Sequence, residues 1–123
     1  MQQLFAIFVF GSFIAAVFAG MQSTAIAGTV TCDGKPEAEA KIELWDKDTI
    51  DPDDLMANTT TFSDGGFYLE GKESELTTID PQVRIFHKCG DRTAKCYKQV
   101  TIEIPDEFIT DDDIFNFFYY HFR

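Results

Sequence analysis

Beyond residues 1–19 the chain has no apolar run long enough to anchor it in a bilayer, and within those residues, MQQLFAIFVFGSFIAAVFA, it has no charge. The run from Leu4 to Phe18, broken only by Gly11 and Ser12, is too short for a transmembrane helix, which needs about 20 apolar residues. Val17 and Ala19 place small side chains at minus three and minus one of a cleavage point before Gly20, the pattern that signal peptidase accepts. The expectation is a secretory signal over 1–19, with the free amino terminus replacing the missing Lys or Arg. The mature chain is then secreted and extracellular, with no stable membrane insertion.

Cations are scarce as well. Lys and Arg number 10 against 21 Asp and Glu, a formal net charge of −11, all of it outside the leader. Such a surface repels nucleic-acid phosphates and anionic lipid heads, so nucleic acid is excluded as a partner. Only two histidines, His87 and His121, and three cysteines, Cys32, Cys89 and Cys96, are present, and their spacing makes no closed four-ligand zinc site. Neither a Gly-rich phosphate loop nor a nucleophile elbow occurs. Three cysteines in an oxidising compartment imply one bridge and one thiol left over. Asn58-Thr59-Thr60 is an N-glycosylation acceptor, reachable on a secretory route.

The apolar period in the remaining chain is two rather than 3.6. Ile26, Val30 and Cys32 share one face of a strand from Thr24 to Cys32. Turn chemistry follows at Asp33-Gly34-Lys35-Pro36, and Ile42 and Leu44 share a face of a second strand, Ala40 to Trp45. Thr59 to Phe62 and Phe67 to Glu70, joined by Ser63-Asp64-Gly65-Gly66, predict a hairpin. Val83 and Ile85 mark a fifth strand ending near His87. Val100, Ile102 and Ile104 mark a sixth, which Pro105 stops because it has no N–H to donate. Six short strands without a competing helix predict an all-β, antiparallel two-sheet sandwich.

Asp46 to Asp54, DKDTIDPDD, raises the question of a metal. An EF-hand loop needs Gly at its sixth position and Glu at its twelfth, where this stretch has Asp51 and Ala57. A looser cage from Asp46, Asp48, Asp51, Asp53 and Asp54 lacks a second acidic loop facing it. The reading adopted is a solvated loop, with Asp51 before Pro52 as a turn or cap residue and no metal or cofactor bound. For catalysis, Arg84 and His87 lie three apart on one strand and face opposite sides of the sheet, so they do not converge on a substrate. No catalytic residue is assigned, and the chain is read as non-enzymatic.

The blocks CDGKPEAEAKIELWDKDTIDPDDLM, TTTFSDGGFYLEG, ELTTIDPQVRIFHKC and IPDEFI, in that order, resemble the transthyretin-like family of secreted nematode proteins over roughly Ala25 to Ile109. The resemblance implies a transthyretin (prealbumin)-type sandwich of about seven strands spanning residues 20–109. It also implies a Cys32–Cys96 bridge that leaves Cys89 unpaired. It carries no catalytic set, because the tail of the purine-pathway hydrolase sharing this fold is absent. After Ile109 the likeness stops, and residues 110–123, rich in Phe and Tyr, have three readings: an edge strand, an exposed binding patch, or read-through of a gene model into noncoding sequence. The last is the reading adopted, and in that case the final strand is missing. The function implied is an extracellular binding or bridging protein whose partner is a protein or a small apolar ligand. The alternatives are a carrier of a small hydrophobic ligand, or a calcium-dependent module using the Asp46 to Asp54 loop.

Overall fold

The computed structural model describes residues 20–75, 77–111 and 116–123, so the leader expected over 1–19 lies outside the described residues. Two sheets stack face to face, with one short 3-10 turn, Asp106–Phe108, and no α-helix among the described residues. The expectation of an all-β sandwich of antiparallel sheets is met.

The first sheet is organised by one long strand, β1 (Gly20–Cys32), which begins four residues earlier than the alternation at Thr24 predicts. A two-residue turn at Asp33-Gly34, both with positive φ (53° and 79°), leads into β2 (Lys35–Pro36), as Asp-Gly favours at a tight hairpin. β5 (Gly66–Glu75) pairs antiparallel with β1 over most of its length. Two short strands occupy the other edge of β1: β8 (Ile109–Asp111), antiparallel at Gln22 to Thr24, and β9 (Phe118–Phe122), parallel at Ile26 to Val30. The second sheet runs β4 (Asp54–Thr60), β3 (Lys41–Asp46), β6 (Pro81–His87), β7 (Lys98–Glu103), all antiparallel.

The residues that alternate inward meet between the sheets. Ile26, Val30, Phe67 and Leu69 from the first sheet pack on Ile42, Leu44, Val83, Ile85 and Ile104 around the second, each 5% exposed or less. Full burial of each such side chain contributes about 1.5–3 kcal/mol. A single well-filled layer of this kind fixes which face every strand presents, because a one-residue slip would turn the apolar set outward.

One expectation is corrected here. The predicted hairpin of Thr59 to Phe62 with Phe67 to Glu70 does not form: β4 belongs to the second sheet and β5 to the first. The tight turn exists, with Phe62 and Gly66 joined through an N–H to carbonyl bond of 2.9 Å and Gly65 at φ 81°, but it carries the chain from one sheet to the other. Thr61 closes that crossing. Its hydroxyl donates to the Glu37 carbonyl at 2.6 Å and accepts the Ala40 N–H at 2.9 Å. Of the three readings of the aromatic tail, residues 118–122 take the first, as the edge strand β9 parallel to β1. Gly28 permits it, since a Cβ there would collide with the Tyr120 carbonyl oxygen and the Phe67 ring.

Candidate functional site

The disulfide lies at one end of the sandwich. β1 ends at Cys32, and β6 reaches Cys89 two residues after His87. The two Cα atoms are 5.7 Å apart, and the sulfurs are bonded. Cys96 is exposed and free on the loop before β7. The expected Cys32–Cys96 bridge is thus replaced by Cys32–Cys89, because Cys89 directly continues a strand whose end lies beside the end of β1. Closing a loop of this length contributes about 2–4 kcal/mol. His87 lies beneath this rim. Its Nδ1 accepts the Cys89 N–H at 3.1 Å, its ring sits 5.2 Å from Phe122, and burial, aided by Lys98, pushes its pKa down. Glu37 and Arg92, paired at 2.7 Å, border a recess of about 180 Å³ beside it.

Arg84 faces outward from the same strand. Its guanidinium lies 4.5 Å from the Trp45 ring and bonds Gln82 at 3.0 Å and Asp53 at 2.7 Å. Arg84 and His87 therefore occupy opposite faces of β6, and neither has the other within reach of a shared substrate.

The acidic stretch lies at the other end of the sandwich, between β3 and β4, and it is not the uniformly solvated loop expected. Asp53 is tied down: Oδ1 accepts the Asp48 N–H at 3.0 Å and Oδ2 the Arg84 guanidinium. Together these hold its carboxyl below the usual range. Asp51 is exposed. Asp46, by contrast, is only 1% exposed, because it continues the inward alternation of Ile42 and Leu44 on β3. Its Oδ1 accepts the Asp80 N–H at 2.8 Å, whereas Oδ2 is buried with no donor.

A bulge sets its neighbour. Between Leu44 and Trp45 the β3–β4 register shifts, so that Asp54, rather than Leu55, stands opposite Asp46. Directly paired residues project to the same face, so the exposed Asp54 lies on the same side of the sheet as the buried Asp46. The third member comes from the other sheet. Glu73 shares the inward parity of Phe67 and Leu69 on β5, and its Oε2 is likewise buried without a donor. Asp46, Asp54 and Glu73 each offer an oxygen within 4.8 Å of the others. Burial, together with the adjacent Asp46 and Asp54, pushes the Glu73 carboxyl up to about 9. Partial desolvation and the same two aspartates also raise Asp48.

The cage considered from the sequence thus loses Asp53 to Arg84 and leaves Asp51 in solvent, but keeps Asp46 and Asp54. It gains Glu73, which the sequence reading missed. The signal was there, since Glu73 extends the period-two face of Phe67 and Leu69, but the strand was expected to stop at Glu70. Asn58 is exposed on the edge strand β4. Among the described residues the other close group of potential metal ligands, Cys32, Asp33 and Cys89, has its sulfurs committed to the disulfide.

On the first sheet, the face turned to solvent carries aromatic side chains. Ala27 on β1 pairs with Tyr68 on one side and Tyr119 on the other. Those rings are 47% and 57% exposed, and Phe117, 51% exposed, meets Tyr68 edge-on with ring centres 6.2 Å apart.

The chain is 41% identical over 95 residues to Transthyretin-like protein 5 of Caenorhabditis elegans, an alignment covering 76% of this chain and 68% of that one. It is 43% identical over 93 residues to Transthyretin-like protein 33 of the same organism, covering 75% of this chain and 65% of that one. Transthyretin-like protein 1 matches at 39% over 92 residues, and there the chain spans 59% of the relative's length. Among solved structures, a 9R-lipoxygenase from Cyanothece aligns with a TM-score of 0.41 at 18% identity, over 81% of this chain and 16% of that one. The TTR-52 family model, described as the Transthyretin-like family, matches residues 27–105. The chain belongs to the transthyretin-like family.

Proposed function

We propose that the protein is a secreted, extracellular binding or bridging module without enzymatic activity, and that it engages a partner protein or small apolar ligand through the aromatic face of the β1–β5–β9 sheet. The observation carrying this reading is the row of exposed rings, Tyr68, Tyr119 and Phe117, set around the small side chain of Ala27. Aromatic side chains give large contact area at low entropic cost, and clustered on a surface they mark an interaction site. The opposed placement of Arg84 and His87 favours binding over hydrolysis. Extracellular residence is supported by the Cys32–Cys89 bridge, a bond that persists in oxidising compartments.

The test has two arms. Expressed with its leader in animal cells, the chain is expected in the medium with Cys32 and Cys89 oxidised; retention in the cytosol with reduced thiols overturns the address. Affinity capture from extracellular fluid is then compared between wild type and the Tyr68→Ser, Tyr119→Ser double variant. Partners lost with the two rings support the surface, and identical capture by both refutes it.

A further inference from the structure

We propose that Asp46, Asp54 and Glu73 form a binding site for a hard divalent cation, calcium, between the two sheets at the end of the sandwich opposite the disulfide. Calcium holds oxygen ligands at about 2.3–2.6 Å, so two ligands on one ion sit up to about 5 Å apart. The three carboxyl groups satisfy that spacing, with oxygens all within 4.8 Å of one another. They come from three strands on two sheets, so the backbone holds the spacing without a dedicated loop.

The independent observation is the orphaned Asp46 oxygen. This side chain is 1% exposed, its Oδ1 is satisfied by the Asp80 N–H, and its Oδ2 is buried with no donor. Glu73 Oε2 is buried in the same condition. Buried acceptors without donors are rare in folded proteins and call for a shared proton, an ion or a water to complete them. Like charges directly opposite on paired strands, as Asp46 and Asp54 are, also destabilise a sheet unless something positive lies between them. Arg84 does not serve, because it is engaged with Asp53, Gln82 and Trp45 on the outer face.

The donor set decides the ion. All three ligands are carboxylate oxygens, which suits magnesium, calcium or manganese better than zinc or copper with their preference for nitrogen and sulfur. Magnesium demands a near-octahedral shell at shorter distances and keeps several waters, whereas calcium accepts irregular geometry and completes its shell with water. Asp48 lies within hydrogen-bond reach of Asp54.

Calorimetric titration of the chelator-stripped secreted protein with calcium chloride tests this directly. One calcium per chain is expected, with a melting temperature raised by roughly 5 °C near saturation and a weaker response to magnesium. Glu73→Gln keeps the side-chain shape and Asp54→Asn sits at an exposed position, so both variants are expected to fold, and each is expected to lose at least about tenfold in affinity. Glu107→Gln, an exposed carboxyl outside the cluster, is expected to bind as wild type. Absence of heat and of any melting shift up to about 10 mM calcium overturns the site. So does undiminished binding by Glu73→Gln, or an equal loss in Glu107→Gln. None of these outcomes depends on the aromatic face, so the cation site and the docking surface stand or fall separately.

Discussion

At the scale of single residues, Asp46 and Asp53 show how position rather than type decides a side chain's role. Both are aspartates of one acidic stretch, yet one closes the interior of the sandwich and the other clasps Arg84 outside it. The cysteines show the same principle. Cys89 is bonded because β6 aims it at the end of β1, whereas Cys96 stays a thiol on a loop. Peptide mapping of non-reduced protein is expected to yield a Cys32–Cys89 linked pair and an alkylated Cys96. Cys89→Ser is expected to cost about 2–4 kcal/mol in denaturant unfolding, and Cys96→Ser close to nothing. Deep in the core, Leu44 is fully buried, and Leu44→Ala is expected to cost about 2–5 kcal/mol in the same measurement.

At the scale of elements, the strands that alternate cleanly were legible in advance. Ile42 with Leu44 and Val83 with Ile85 mark β3 and β6, and these two strands do lie side by side. What escaped was their company. The turn at Ser63 to Gly66 has the composition of a hairpin, and composition does not say whether a chain folds back in its own sheet or crosses to the other. β4 was placed too late because Asp54 and Asn58 are poor strand formers; the ladder to β3 holds them extended regardless. The candidate site was half legible: Asp46 and Asp54 were named, but Glu73 lay beyond the expected end of its strand, and a bulge that swaps Leu55 for Asp54 leaves no mark in sequence. β9 depends on the bare backbone of Gly28. Gly28→Val is expected to detach that strand, read as faster hydrogen exchange at residues 118–122 with β3 and β6 still protected.

At the scale of the whole molecule, the acidic cluster couples stability to pH. The Glu73 carboxyl, at about 9 when folded, holds a proton that the unfolded chain, near 4.5, has already released. Its contribution is therefore fully present below the unfolded value and is lost as pH rises toward and through the folded one. In the absence of calcium, the melting temperature of wild type is expected to fall relative to Glu73→Gln between pH 6 and 9. The slope has an upper bound of about 1.4 kcal/mol per pH unit, reduced by solvent screening of this half-buried group. Parallel curves for the two proteins would remove Glu73 as the cause.

The parallel pairing of β9 with β1 has a consequence for the order of events in synthesis. β1 is translated well before the strand that covers much of its second edge, since Ile26 pairs with Phe118. Until then a stretch of unpaired amides and carbonyls beside Gly28 stays open to any other extended chain. Contacts so distant along the polypeptide close slowly. A nascent copy thus spends its vulnerable interval with part of the second edge of its longest ribbon unzipped, and crowding of such copies during synthesis favours edge-to-edge clumping over completion of the fold.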